Sequence, residues 1–212
     1  MIDDRPAARR EPAVLLGVGT LALAVSAIRP HAYGTWLLEV LAALIAVPVL
    51  ILTYRRFPLT PLAYRLILLH AVILMIGGHW TYAQVPAGDW VRDVFDLDRN
   101  PYDRLGHLAQ GFVPAIIARE ILLRRTPLRP GGWTFALVVC VVMAISACWE
   151  LFEWWSALIG GDSADDFLGT QGDQWDTQWD MFMALIGAVL SQLLLSRVHD
   201  RELVALAERP DR

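Results

Sequence analysis

Long apolar stretches alternate with short polar connections along this 212-residue chain. A helix needs roughly 20 mainly apolar residues to cross the hydrocarbon core of a bilayer. Stretches of about this length lie at residues 12–28, 35–54, 62–83, 103–124, 133–158 and 176–196. The pattern predicts an all-α, polytopic transmembrane bundle of about six spans, with residues 1–212 forming a single integral membrane domain.

The composition supports this class and limits the partners. Hydrophobic residues make up 56% of the chain, which includes nine tryptophans, and the mean hydropathy is +0.43. These values are too apolar for an ordinary soluble domain of this size, so we expect the lipid bilayer to be the surroundings. No basic stripe with interleaved aromatic residues is visible, and we expect no nucleic-acid partner.

The basic residues are all arginines and are distributed unevenly between the connections. Most of them fall in the two terminal segments and in the connections after the second and fourth stretches. That group comprises Arg5, Arg9, Arg10, Arg55, Arg56, Arg124, Arg125, Arg129, Arg197, Arg201, Arg209 and Arg212. Because basic connections stay on the cytoplasmic side, we predict an N-in/C-in orientation with the acidic connections outside.

The first stretch has the residue order of a signal peptide but is long for one, so we expect it to be retained.

Ionisable residues recur inside or beside the apolar stretches, at spacings that place them on shared helix faces. Carboxylates are costly in hydrocarbon, and by default they mark a functional site. The pairs are Asp103 with His107, Glu150 with Glu153, and Asp176 with Asp180, the last pair preceded by Asp173. Spacings of three or four residues put each set on one face. Since the spans alternate in direction, we predict that these groups meet in one polar pocket near the outer leaflet.

This residue set is compatible with three kinds of chemistry. Glu150 or Glu153 could act as a general base, with His107 as its acid–base partner held by Asp103. A divalent metal could instead be bound by His107, Glu150, Asp176 and Asp180, since zinc, manganese and iron accept such nitrogen and oxygen ligands. The spacing matches no specific metal motif. A polar network that only packs the helices is the third interpretation.

Four further residues are candidates for substrate binding. Trp149 and Trp175 fall near the outer boundary, where tryptophans typically form an aromatic belt. Their rings could also pack against a sugar or a lipid headgroup. Gln171 and Asp173 belong to the polar segment that leads into the last span, and we group them with the two tryptophans.

Four connecting or terminal features complete the predicted organisation. Residues 89–97 place apolar side chains on one helical face, which predicts a short helix in the outer interface. Residues 160–172 are rich in Gly and Asp, and we expect a turn-rich loop. Residues 197–209 predict a polar, solvated helical extension. Arg65, Arg119 and Glu120, near the cytoplasmic ends, are expected to snorkel or to pair with each other, and Glu120 is not assigned to the site.

Three segments resemble the YjdF-type bacterial inner-membrane proteins. They are residues 100–107 (NPYDRLGH), 149–154 (WELFEW) and 167–181 (FLGTQGDQWDTQWDM). The resemblance covers nearly the whole chain and implies a multi-pass protein of the bacterial inner (plasma) membrane, without implying a reaction. A looser likeness to VanZ-like membrane proteins covers only the second half. It favours cell-envelope chemistry, although the Arg-containing loop expected of that group is missing.

Three functions remain open from the sequence. The first is a membrane-embedded enzyme, metal-dependent or acid–base, that acts on a lipid or cell-envelope precursor at the outer leaflet. The second is a proton- or cation-coupled transporter, against which stand the absence of repeated halves and of deep ionisable groups on the cytoplasmic side. The third is a non-catalytic envelope accessory protein that uses its acidic loops for docking.

Overall fold

The computed structural model describes residues 5–160 and 170–208, and within these ranges the chain is entirely helical and has no strand. The α-helices are α1 (Arg5–Ser26), α2 (Tyr33–Thr53), α3 (Pro61–Trp80), α4 (Pro86–Phe95), α5 (Tyr102–Arg125), α6 (Gly132–Gly160) and α7 (Asp176–Ala207). A short 3₁₀ helix, Tyr82–Gln84, follows α3. The predicted all-α class is therefore confirmed.

Four of these helices, α2, α3, α6 and α7, are long and apolar enough to cross a membrane. Helices α1 and α5 form where the first and fourth spans were predicted, but they carry more charge. Helix α1 begins with an arginine-containing segment, and α5 has charged residues in its first and last turns. A membrane protein with several membrane-capable helices is thus what the fold supports.

Helix α5 is polar because it lies inside the bundle, in contact with α3, α6 and α7. On one face, Val113 and Ile116 pack against Leu59, Ala63 and Leu66 near the start of α3. On another face, Ala115 and Ala118 pack against Val138, Val142 and Ala188 of α6 and α7. A helix surrounded by protein does not need a lipid-facing apolar surface, so its sequence can carry the ionisable residues.

Successive long helices run in opposite directions, which brings alternate helix ends together. The amide of His31, before α2, donates to the carbonyl of His79 at the end of α3 at 2.9 Å. At the other end of the bundle, Glu120 of α5 contacts Thr60 at the start of α3. We call the end that holds Asp103 the acidic end and the end that holds Glu120 the arginine-rich end.

Helix α3 ends earlier than the predicted boundary at residue 83. It stops at Trp80 because Thr81 adopts a φ of 51°, which turns the chain back into the bundle. The turn buries Tyr82, whose ring lies against Gly77 and Gly106. A Cβ on Gly77 would stand 2.3 Å from that ring, so the close packing requires glycine there.

The short helix predicted before the fourth span is present as α4. Its apolar side chains Trp90, Val94 and Phe95 are all more than half exposed, so none of the described protein covers this face. Asn100 holds the start of α4 against the rest of the fold, because its side-chain Nδ2 donates to the Val85 backbone carbonyl at 3.0 Å. This arrangement fits a helix that rests its apolar side on a membrane surface.

The predicted loop at residues 160–172 falls mostly on residues 161–169, which lie outside the described residues. The part that the structure describes is a tight turn in which the Asp173 amide donates to the Thr170 carbonyl at 2.8 Å. Gln171 and Gly172 both have positive φ, 47° and 86°. The turn leads directly into α7.

Helix α7 continues without a break to Ala207, as the predicted helical extension requires, but one face of the first two turns of that extension is buried or partly buried and not solvated. His199 is fully buried. The Glu202 carboxylate accepts a hydrogen bond from the Leu62 amide at 2.8 Å. The extension is held because it packs on the start of α3, a contact that the sequence pattern does not reveal.

Candidate acid–base site

The acidic end gathers a set of ionisable side chains that are at most 9% exposed. The set comprises Glu39 of α2, Asp103 and His107 of α5, Glu150 and Glu153 of α6, and Asp176 and Asp180 of α7. The helical spacings explain each pair, and the alternating helix directions explain why the pairs meet. The structure therefore brings together the catalytic and metal candidates of the sequence analysis.

His107 lies at the centre of this set. Its Nε2 atom is 3.5 Å from Asp103 Oδ1 and 3.9 Å from Asp180 Oδ2. Its Nδ1 atom is 3.8 Å from Glu150 Oε1. Three carboxylates from three helices thus surround one imidazole.

Two arginines outside the predicted site, Arg99 and Arg104, balance part of the negative charge. Arg99 pairs with Asp103 at 3.1 Å and with Asp176. Arg104 pairs with Asp176 at 3.0 Å and also with Asp180. Arg99 lies four residues before Asp103, but it precedes the start of α5 at Tyr102, so no helical spacing marks this contact in the sequence.

Asp103 and Asp180 divide their two oxygens in the same way. In each, one oxygen accepts from an arginine, Arg99 for Asp103 and Arg104 for Asp180. The other oxygen faces His107 Nε2. One ligand atom from each of Asp103, His107 and Asp180 lies within 4.8 Å of the others, so these three residues could hold a metal ion.

The two remaining metal candidates occupy different positions. Glu150 faces the other ring nitrogen of His107, Nδ1. One Asp176 oxygen, Oδ1, contacts both Arg99 and Arg104. Neither belongs to the compact group around His107 Nε2.

A cavity of about 240 Å³ opens beside His107. Its polar lining consists of Glu39, His70, Tyr82, Asp103, His107, Gln110, Trp149 and Glu153, and the rest is apolar. Trp149 donates from Nε1 to Glu153 Oε1 at 2.7 Å, which fixes the indole at the cavity wall. In the part of the chain that the structure describes, His107 Nδ1 and Glu150 Oε1 are buried without a hydrogen-bond partner.

The other three substrate candidates lie outside this cavity. The Gln171 side chain accepts a hydrogen bond from the backbone N–H of Asn100 at 2.9 Å and donates one to the Asn100 backbone carbonyl at 3.1 Å. These two bonds fix the turn before α7. Asp173 pairs with Arg104 at 3.1 Å. The Trp175 side chain is at the surface, 58% exposed.

A second buried polar network lies at the arginine-rich end. Fully buried Glu120 accepts hydrogen bonds from the Thr60 amide and hydroxyl and pairs with Arg124 at 2.5 Å. His199 Nε2 lies 3.2 Å from Glu120. Arg119 instead contacts His199 and pairs with Asp200 at 2.7 Å, so the predicted Arg119–Glu120 pair is wrong.

Comparison with known proteins places the chain in a family. The model of a family described as "Predicted membrane protein (DUF2238)" matches residues 11–201. The "Inner membrane protein YjdF" of Escherichia coli (strain K12) is 56% identical over 184 residues, which cover 87% of this chain and 88% of that protein. No solved structure matches. The chain therefore belongs to the DUF2238 family of predicted membrane proteins, and it is a multi-pass protein of the bacterial inner membrane.

Proposed function

We propose that this protein is a membrane-embedded acid–base enzyme that acts on a lipid or cell-envelope precursor. The observation that carries the proposal is the position of His107, at the cavity wall and within 4 Å of three carboxylates. Proton transfer needs a titratable group within reach of the substrate and a second group that orients it. The His107 imidazole is a titratable group at the cavity wall, and the neighbouring carboxylates can orient it.

The roles follow from which side chains line the cavity. His107 exchanges a proton with the substrate, and Glu153 is the carboxylate base that shares the cavity wall. Asp103 and Glu150 face the two ring nitrogens and orient the imidazole. Asp176 and Asp180 form ion pairs with Arg99 and Arg104. Trp149 can pack its ring against the substrate.

The test is product formation by purified protein in lipid nanodiscs. The protein would be incubated with inner-membrane lipid and precursor extracts and followed by mass spectrometry. We expect the wild type to convert one component, His107→Gln to abolish the conversion, and exposed Glu208→Gln to leave it unchanged. If the wild type converts nothing, or His107→Gln retains full activity, the proposal is wrong.

A divalent metal ion is the alternative to proton exchange by His107 at the same site. Asp103, His107 and Asp180 would hold it, and it would polarise a carbonyl or phosphoryl oxygen of the substrate. The support is that one oxygen of each aspartate faces the same ring nitrogen, while the other oxygen is held by an arginine. Hydrogen-bond partners of this kind orient the ligands of metal sites.

Elemental analysis distinguishes this three-residue ligand set from the four-residue set predicted from the sequence, which includes Glu150 and Asp176. The metal mechanism requires one equivalent of zinc, manganese or iron in the wild type and its loss in His107→Ala and Asp180→Asn. Glu150→Gln should keep the metal because Glu150 faces the other ring nitrogen. Metal-free wild type that stays active after chelation would contradict the metal, but not the acid–base mechanism.

The proposed topology is a single membrane domain with six spans, N-in and C-in, and with the acidic end outside. The support is the arginine distribution and the formation of α1 and α5 as full-length helices. In a Cys140→Ala, Cys148→Ala background, an impermeant maleimide should label Asp98→Cys in intact cells and should not label Arg129→Cys. The reverse pattern would invert the orientation.

One observation favours proton- or cation-coupled transport as a second candidate. Buried titratable residues lie at both ends of α5, and the cavity reaches Ile117, less than one turn from Glu120. Sealed vesicles with an internal pH dye would test this. Proton uptake that is lost in both Glu120→Gln and Glu153→Gln would support transport, and uptake equal to that of empty vesicles would exclude it.

A further inference from the structure

A second, almost entirely apolar groove of about 410 Å³ lies between α1, α2 and α3. Its only polar side chains are Thr20, Tyr54 and Tyr64, and the rest of its described lining is aliphatic. On α2 the lining runs from Ala43 to Tyr54, about 16 Å at the rise of an α-helix. The groove therefore has the length and polarity to hold an extended hydrocarbon chain.

The groove and the acid–base cavity share part of their walls. Ala43, Ala46, Ile67 and Ala71 line both. Three of these four side chains are single methyl groups, so the partition between the two spaces is thin. A molecule whose polar end lies in the cavity can extend its chain past the alanines into the groove.

The charge of the cavity selects the polar end. Its lining contains three carboxylates, on Glu39, Asp103 and Glu153, and no lysine or arginine among the described residues. Two imidazoles, on His70 and His107, complete the titratable lining. Three carboxyl groups are available as partners for an ammonium group, against two imidazoles for an anionic headgroup, so the lining favours a cation.

Two aromatic rings add to this preference. Tyr82 and Trp149 both line the cavity, and an ammonium group is attracted to the face of such rings. Arg99 and Arg104, which would favour an anion, are not in the lining and are turned to Asp103, Asp176 and Asp180.

We propose that the ligand of this cavity is an amphiphile with a cationic amine head and a long apolar chain. The amine lies among Glu39, Asp103 and Glu153, and the chain passes the alanines at positions 43, 46 and 71 into the groove. This inference rests on the proposed function, since it names the substrate class of the same cavity.

The test uses a long-chain alkylamine with a diazirine at the chain end, photocrosslinked to full-length protein in nanodiscs. We expect saturable crosslinks to groove residues such as Leu16, Leu50 or Leu68. Dodecylamine should compete at least tenfold better than dodecyl phosphate. Equal competition by the phosphate, or crosslinks that do not saturate, would overturn the inference.

Variants locate the chain and the head. Ala46→Phe should lower crosslinking at least tenfold, whereas Leu52→Phe on the same helix, 79% exposed and outside the groove, should not change it. If Ala46→Phe fails to fold, Glu39→Gln decides, because it should reduce the preference for amine over phosphate, and an unchanged preference overturns the inference. Saturable amine binding without turnover would refute the enzyme and leave this inference standing.

Discussion

Gly111 of α5 and Gly187 of α7 bring the two helix backbones into direct contact in the interior of the bundle. A Cβ on Gly111 would lie 1.9 Å from the Ala184 carbonyl oxygen, and a Cβ on Gly187 would lie 2.2 Å from that of Leu108. Backbone cannot move aside as a flexible side chain can. The contact therefore sets the separation of the helices that hold His107 and Asp180.

Replacing either glycine should destabilise the bundle. We expect Gly111→Ala to lower the free energy of unfolding by about 1–3 kcal/mol, the usual cost of overpacking, because α5 and α7 must separate. Thermal unfolding in detergent measures the effect. Gly17→Ala is the control, since nothing lies within 4 Å of its added Cβ, and equal unfolding temperatures for the two variants would contradict the prediction.

Removing Arg104 should cost more than removing a surface arginine. Arg104→Met leaves Asp176 and Asp180 buried without one of their cations, which costs about 3–5 kcal/mol for a broken buried pair. Arg92→Met breaks only solvent-facing pairs with Asp89 and Asp93 and should leave the unfolding temperature unchanged. Adding Asp180→Asn to Arg104→Met should recover part of the loss.

The Glu120 network should hold the last turns of α7. In Glu120→Gln, the pairs with Arg124 and His199 lose their charge, so the extension should open more often. Limited trypsin digestion should then cut faster after Arg197 and Arg201. Exposed Glu208→Gln is the matched control, and equal cleavage in both variants would show that the network does not retain the extension.

Asn100 should be needed to fix α4. Its side-chain Nδ2 donates to the Val85 backbone carbonyl and to the Asp89 carboxylate, and its Oδ1 accepts from the backbone N–H of Tyr102. Asn100→Ala removes the Asn100 partner of the buried Tyr102 amide, at about 1–3 kcal/mol, and it removes the two hydrogen bonds that hold the start of α4. Val85 and Asp89 keep their bonds within α4. Hydrogen exchange of residues 86–95 should rise in Asn100→Ala and stay unchanged in exposed Asp98→Ala; protection that survives in Asn100→Ala would contradict this.

Local spacing carried most of what the sequence could predict. It placed helices at all six apolar stretches, and the three- and four-residue steps predicted that His107 would face carboxylates of other helices. The boundary of α3 was missed because the turn at Thr81 is imposed by the burial of Tyr82, which no local pattern encodes.

The contacts that the sequence did not predict are those that depend on how helices distant in the chain align with one another. His199 and Glu120 are 79 residues apart, and their contact follows from how α7 packs on α5. Arg99 lies before the fourth apolar stretch and outside the predicted site, although in three dimensions it contacts Asp176 of α7. The six-span topology and the roles of the site residues stay predictions.

The burial of α5 bears on the order in which the chain is assembled in the membrane. Four side chains of α5 contact α7, which the ribosome makes last: Arg104, His107, Arg119 and Glu120. A charged residue at the centre of an isolated helix costs about 2.5–3.5 kcal/mol on insertion. Alone among lipids, α5 would present Asp103, His107, Arg119 and Glu120 to hydrocarbon. With α5 as one of the six proposed spans, we therefore expect it to insert stably only together with α7, so a ribosome stalled before residue 176 should leave an intermediate whose α5 is still extractable by alkali.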